Sequence, residues 1–399
     1  MSHYDILLTY AWVRSTYVAS RSLSSLGLNV CVADEGKIGM CQWSNKSKFV
    51  GIYRSPLSDP ENFISDIVRL VEKTDVNILL PSHDETEVIA KYREKLPKNL
   101  IIPIASYESI NKANDKSKMI DVAVKLGVPI PKTLDWSSLI DLQHKLDTVN
   151  WKKFVVKLRK GNSSKGVFYP PSKHEVIEKT SSLCKQYNLS SDRLPIIQER
   201  VDGDGWGVSC LYWEGERIAF FTHKRLKEKI TTGGTSTSRV SIRNPILEKY
   251  AFRILDEMNW HGLAMIEFKY NEETKEAWFI EVNPRLWGSL HLAISSGVNF
   301  PALLYTAATI SMEEAKKLSK TQEEGVIARW YMGDIIIAAT ELFSLHPVKA
   351  FKSILPGNCD TYDDIHLDDL GAFAGEITGY LSSFVKSKSL NPEKEGMLG

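Results

Sequence analysis

Two strand-like runs, residues 262–270 and 277–283, flank the polar stretch 271–276, and between them they carry Glu267, Glu281 and Asn283. Strands on either side of a short polar turn read as a hairpin. Because strand side chains alternate, Ile266, Phe268, Ile280 and Val282 are expected on one apolar face, with Glu267, Glu281 and Asn283 on the other. A turn centred near Thr274 sets Glu267 opposite Glu281. Carboxylates that face each other repel unless a cation lies between them. Oxygen-only ligands suit Mg²⁺, which binds through one or two carboxylates together with substrate phosphates. The other reading is a solvated strand face carrying ordinary surface acids. Pro284 ends the strand, since it cannot donate to the ladder, and Arg285 follows. A fixed cation there would stabilise charge developing on a transferred phosphoryl group, or would pair with a nearby acid.

A second group of residues has the chemistry of phosphate binding. Lys157 closes the apolar run Val155-Val156 and is followed by Gly161, Asn162, Ser163, Ser164, Lys165 and Gly166. A Gly/Ser loop offers backbone amides to phosphate oxygens and the lysines add charge, although plain turns have the same composition. It is not a Walker A loop, because GxxxxGK[ST] is absent. Residues 196–207 run from apolar Ile196-Ile197 through Gln198, Glu199, Arg200 and Val201 to Asp204. Such a strand end binds a base and a ribose, or makes a tight turn. A third segment, from His223, Lys224 and Arg225 to Ser236, is expected to be a loop, either an anionic-substrate cover that orders on binding or a surface excursion. No GxSxG and no Cys/His constellation marks a nucleophile.

The elements that must position these groups follow from periodicity. Over the first hundred or so residues, strand-like 5–9, 29–33 and 76–80 alternate with helical 15–26 and 61–73. This rhythm predicts a parallel sheet covered on both faces. The first strand-to-helix turn, residues 10–15, has no GxGxxG, so dinucleotide binding is not expected. Arg14, Ser15, Ser82, His83, Asp84 and Glu85 fall at strand ends, where open α/β sheets bind ligands and where helices are capped. Residues 111–118 and the Pro129–Pro131 pair mark the passage to a second region, β-rich from about 151. Beyond 312 the pattern is mostly helical, 326–342 being the most apolar part, and the polar last dozen residues are expected to fray.

With 399 residues, two or three domains are expected. Hydrophobic residues make up 43% and charged residues 25%, ordinary for a soluble protein. The formal net charge of +1 gives no reason to expect nucleic acid or an anionic membrane as partner. No apolar run reaches membrane-span length, and the early charged residues do not read as a signal peptide. The five cysteines lack CxxC spacing, which suits a reducing cytosol better than a disulfide framework.

Taken together, these runs resemble the ATP-grasp superfamily, in particular its carboxylate–amine ligases. The resemblance spans roughly residues 1–312 and rests on DKSKMIDVAVKLGVPIPKT, FVVKLRKGNSSKGV, IIQERVDGDGWGV, GLAMIEFKYNEETKEAWFIEVNPRLWGSL and AISSGVNFP, in the family's order. It implies a multidomain α/β and α+β fold. A Rossmann-like pre-ATP-grasp domain would occupy 1–112 and a two-lobed ATP-grasp domain 113–312, with a lid lobe at about 130–198. Residues 313–399 would form a mostly helical C-terminal extension that the resemblance does not reach.

The resemblance also implies roles. Lys116 and Lys157 would contact ATP phosphates beside the loop of Gly161, Ser163, Ser164 and Gly166. Glu199 and Val201, within the run that includes Gln198 and Arg200, would line the adenine pocket. Asp204 would meet the ribose, where many relatives have a longer glutamate. Glu267, Glu281 and Asn283 would hold Mg²⁺, usually as two ions, with Mn²⁺ as a substitute. Arg285 and Arg225 would contact the transferred phosphate. The implied reaction activates a carboxylate as an acyl phosphate and joins it to an amine, amino acids or small peptides being the expected substrates. A carboxylation, a phosphorylation without ligation, and a nucleotide-binding regulator are the rivals. A homo-oligomer is compatible with the sequence.

Overall fold

The computed structural model describes residues 4–161, 166–228, 235–344, 346–355 and 357–387. Its first sheet has four parallel strands in the order Lys48–Ile52, Val30–Asp34, Ile6–Leu8, Leu79–Leu80. The apolar runs are continuous because both faces are covered, as parallel sheets require. Leu7, Cys31 and Leu79 pack on one side with Phe63, Ile67 and Leu70 of the helix Pro60–Thr74. Ile6, Leu8, Val30 and Val32 pack on the other with Tyr17, Val18 and Leu23 of the helix Arg14–Ser24. The third expected strand is shorter than its apolar run. It keeps Leu79–Leu80, with Ile78 bridged to Ile101.

A seven-stranded sheet holds the middle of the chain, in the order Ala277–Asn283, Gly262–Tyr270, Asp204–Trp213, Glu216–Glu228, Ser236–Ser241, Ile327–Arg329, Thr361–Tyr362. Its neighbours are antiparallel except the last pair. The helix Pro245–Glu257 lays Leu247, Ala251, Ile254 and Leu255 against Val208, Cys210 and Ile266 on one face. Asn244 caps this helix through the amides of Ile246 and Leu247, and Pro245 at its first position has the φ a helix needs.

A smaller antiparallel sheet, Thr133–Leu134, Ile196–Glu199, Phe154–Lys157, Val167–Phe168, carries the helices Leu139–Thr148 and Lys173–Gln186 over a core of its own.

Beyond residue 312 the chain is mostly helical, with Tyr331–Phe343, Pro347–Ile354 and Leu370–Ser387 the main helices. It also gives the seven-stranded sheet its two last strands, which the apolar pattern does not disclose. Among the described residues no helix is long and apolar enough to cross a membrane. All five cysteines are free thiols.

Two local expectations need correction. The segment from His223 is strand as far as Glu228, because His223, Lys224 and Arg225 pair with Ser241, Val240 and Arg239; residues 229–234 lie outside the described set. The carboxylate hairpin carries a bulge, since Glu267 pairs with Glu281 but Phe268 pairs with Phe279. Ile280 is the extra residue. Phe279, not Ile280, therefore joins the core, its ring edge-on to Phe268 at 6.2 Å.

Candidate functional site

One cavity of about 870 Å³ lies where the three sheets and the C-terminal helices meet. It is lined by Lys116, Lys157, Gly161, Gln198, Glu199, Arg200, Val201, Arg225, Glu267, Glu281, Asn283 and Arg285, so the structure gathers most of the residues singled out above in one place.

The hairpin sets the centre of the site. Glu267 and Glu281 are directly opposite in the ladder, and neither carboxylate is left alone. Arg225 Nη2 stands 2.7 Å from Glu267 Oε2 and Lys116 Nζ 3.2 Å from Glu281 Oε2. Asn283 Nδ2 donates to Glu267 Oε1 at 3.1 Å, and its Oδ1 accepts from Arg285 Nη2 at 3.2 Å. The extra residue of the bulge, Ile280, turns to the cavity beside Glu281.

Burial pushes the Glu267 carboxyl above the usual carboxylate range against the pull of Arg225, and the charge of Glu281 adds to the push. Burial acts on Glu281 in the same sense, but Lys116, Lys157 and Arg285 outweigh it and hold the group below its ordinary value. The pair is thus divided by its surroundings: burial dominates at Glu267, and the cations dominate at Glu281. The donor set is oxygen-only: two carboxylates and one amide. That combination fits a hard divalent ion whose remaining ligands come from phosphates and water.

Lys157 ends its strand buried, and burial lowers its ammonium to about 8 despite the opposing charge of Glu281. Lys116 begins the helix Lys116–Lys125, where Asp115 caps the amides of Ser117 and Lys118, and it donates to the Gly161 carbonyl at 2.6 Å. Two lysines therefore converge on one wall with Glu281 as shared counter-charge, an arrangement suited to polyanionic phosphate. Gly166 does not line the cavity. Its φ of +68° is a turn conformation, and its carbonyl accepts from the Leu158 amide at 2.8 Å. Ser163 and Ser164 lie outside the described residues.

At the far wall Gln198 Nε2 donates to Thr133 Oγ1 at 2.9 Å, and the Arg200 guanidinium lies over the Tyr169 ring at 5.0 Å. Apolar Val155 and Val167 line the same wall as Glu199 and Val201. Asp204 is not part of the lining. Its carboxylate sits 2.8 Å from Lys224 Nζ, which also holds Glu272 at 2.9 Å.

The polar residues at the strand ends divide between holding the loop and lining the cavity, and none caps the helix Glu85–Lys91 through its side chain. Glu85 holds the loop before that helix, accepting from the amides of Ser82 and His83 and from the Thr9 hydroxyl. Arg14, Ser15 and His83 line the cavity. The turn before the first helix spends its amides on the protein: Tyr10 N donates to Tyr53 Oη, Ala11 N to the Ala33 carbonyl and Trp12 N to Asp34 Oδ2. Those three amides are not free for a pyrophosphate, in keeping with the missing glycines.

Sequence reasoning missed the wall built by the C-terminal region. Trp330, Ile336, Ile337, Thr340, Glu376 and Tyr380 all face the cavity. The apolar run at 326–342 was the one signal, and it says nothing of what it covers.

Residues 192–331 match the family described as "ATP-grasp in the biosynthetic pathway with Ter operon". The chain is similar to a carbamoyl-phosphate synthase of Methanobrevibacter smithii, 23% identical over 279 residues, covering 66% of this chain and 70% of that protein. Among solved structures it resembles the biotin carboxylase domain of Hydrogenobacter thermophilus 2-oxoglutarate carboxylase, determined with MgADP, ADP and bicarbonate. There the TM-score is 0.62 at 13% identity, over 78% of this chain and 70% of that one. It also resembles an L-amino acid ligase from Bacillus licheniformis, with a TM-score of 0.61 at 13% identity, covering 82% and 79% of the two chains.

Proposed function

The chain carries the ATP-grasp fold, and from that premise we propose that it is an ATP- and Mg²⁺-dependent carboxylate–amine ligase. The observation that carries the reading is the facing pair Glu267 and Glu281, with Asn283 beside them, in one cavity with Lys116, Lys157, Arg225 and Arg285. A protein that bound nucleotide without turnover would have no need of this whole set.

When bound, ATP supplies the phosphoryl group that makes a carboxylate an acyl phosphate, and Mg²⁺ neutralises phosphate charge. In this reading Glu267, Glu281 and Asn283 would hold the metal. Lys157 and Lys116, beside Glu281, neutralise phosphate oxygens. The slot of Val155, Val167, Glu199 and Val201 receives the base, with Gln198 and Arg200 fixing its floor. Arg285 and Arg225 lie at the hairpin's end, where they orient the carboxylate and later balance the departing phosphate. The carboxylate oxygen bonds to the γ-phosphorus and ADP leaves. The amine nitrogen then attacks the acyl carbon, the C–O bond to phosphate breaks, and the amine gives up its proton. The protein's share is positioning and charge neutralisation in a site shielded from water.

The experiment is Mg²⁺-dependent ADP release with pooled carboxylates and pooled amines, comparing wild type with Glu281→Ala. Release that needs both pools and falls by about 10²–10³-fold in the variant supports the ligase, a loss in keeping with removal of one preorganised charge. Release with bicarbonate alone would favour carboxylation instead. Failure to bind MgATP at all would overturn the reading.

A further inference from the structure

Joining an amine to an acyl phosphate needs a proton acceptor, and the carboxylate hairpin does not supply one. An alkyl amine is protonated near neutral pH, and its nitrogen attacks only after a proton has left. Glu267 and Glu281 are engaged by Arg225 and Lys116. Glu376 is pushed well above the carboxylate range by burial, so it already holds a proton. His223 is closed in, with Nε2 3.2 Å from Ser289 Oγ and its ring driven well below the usual range by burial. A general base works best when its proton affinity lies near the working pH, which favours an imidazole over a free carboxylate.

The lining holds a second imidazole, His83, in the loop between the strand Leu79–Leu80 and the helix Glu85–Lys91. Glu85 pins that loop, its Oε1 accepting from the His83 amide at 3.2 Å. The Tyr10 ring lies flat on the imidazole, with centroids 4.5 Å apart and planes 4° from parallel. Nδ1 is shut away from solvent and faces Asp84 Oδ1 at 3.2 Å, without the alignment of a hydrogen bond. Catalytic hydrogen bonds are often poorly aligned in unliganded enzymes and tighten around the reacting groups. A carboxylate at Nδ1 favours the tautomer with hydrogen there, which leaves the lone pair on Nε2, the nitrogen that can meet a ligand.

The same oxygen of Asp84 stands 3.8 Å from Arg285 Nε. Arg285 donates Nη2 to Asn283 Oδ1 and Nη1 to the Leu286 carbonyl. One buried carboxylate thus ties the imidazole to the arginine at the hairpin's end. An imidazolium at His83 would be opposed by Arg285, and Asp84, which faces both, offsets that repulsion. A base oriented by a third group, within short reach of the reacting centre, is the arrangement that activates a nucleophile.

We propose that His83 is the general base of the joining step, with Asp84 as its positioning residue. The inference rests on the ligase reading and deepens it. His83 Nε2 takes one proton from the incoming ammonium and becomes an imidazolium opposite Asp84. The freed nitrogen pair forms the C–N bond at the acyl carbon, and the C–O bond breaks with its pair on the phosphate. The second nitrogen proton passes to the departing phosphate, and the imidazolium returns its own to water.

Hydroxylamine separates this step from the one before it, because its weakly basic nitrogen attacks an acyl phosphate without help from a base. With MgATP and pooled carboxylates, wild type should give hydroxamate with hydroxylamine and amide with pooled alkyl amines. In His83→Gln the ratio of amide to hydroxamate should fall by about 10²-fold or more, the usual share of a general base. His83→Phe keeps a ring on Tyr10 and lacks the nitrogen, and the ratio should fall there as well. Hydroxamate formed by either variant reports that its ATP site is folded. A ratio unchanged in His83→Gln, whether both products persist or both decline together, would overturn the general base and leave the ligase standing. A ratio restored in His83→Phe would make the ring a packing piece and overturn the proposal too. Absence of hydroxamate, amide and ADP from wild type with every pool would overturn the ligase, and the general base with it.

Discussion

Lys157 brings an electrostatic cost into the site that a nucleotide would relieve. Burial disfavours its charged form and lowers it to about 8, from an ordinary lysine value near 10.4. Between those values the unfolded chain holds a proton that the folded one has lost, so this group adds stability as pH rises through that window. Phosphates would reverse the shift by favouring the ammonium. ATP binding measured without divalent cation at about pH 8.5 should therefore take up a proton. Calorimetry in buffers of different ionisation enthalpy reads that uptake directly, and Lys157→Arg should abolish it; uptake unchanged in the variant would place the proton elsewhere. At this scale the sequence was informative where alternation holds. The turn at 271–276 and the period of two put Glu267 across from Glu281, as found. They misplaced Ile280, because an extra residue in one strand leaves no trace in composition.

The elements are tied together at the closest approaches between strands. Gly207 pairs with both His223 and Glu267, and a Cβ there would come within 2.3 Å of His223 Cε1. His223 has no room to yield: it is buried, neutral because burial drives its imidazole well below the usual range, and its Nε2 meets Ser289 Oγ at 3.2 Å. Gly207→Ala should therefore cost about 1–3 kcal/mol, as overpacking does, read as a lower denaturation midpoint at unchanged slope. It should weaken Mg²⁺-dependent nucleotide binding as well, since the displaced ring adjoins the strand of Arg225. A variant as stable as wild type would show that His223 is not held there. The parallel strands were legible at this scale through their continuous apolar runs, and the edge strand Lys48–Ile52, half exposed and mixed in character, was not.

At the scale of the whole molecule, the C-terminal region is fastened to the rest by charges far apart in sequence. Asp363 joins Arg14 of the first helix and Arg239 of the seven-stranded sheet, and all three side chains are buried. Local propensity and periodicity cannot announce such contacts, which is why the region after residue 312 was read as helical with no place assigned to it. Burial alone would raise the Asp363 carboxyl, but the two guanidiniums outweigh it and hold it below its usual value. Its contribution to stability is therefore present above the ordinary carboxylate range and lost as pH falls through the lowered value. Asp363→Asn keeps the shape and removes the charge, leaving two buried guanidiniums facing each other. Breaking a buried ion pair from one side costs about 3–5 kcal/mol, most of what a marginally stable protein has to lose. The loss should not be local. Amide exchange should quicken together in the helix Arg14–Ser24, the strand Ser236–Ser241 and the helix Tyr331–Phe343, because Asp363 joins the first two and the adjacent Asp364 accepts from the Tyr331 and Met332 amides that open the third. If exchange quickens in the C-terminal helices alone, the region is an appendage and the cavity does not need it. If the three segments loosen as one, the C-terminal region is an integral wall of the site.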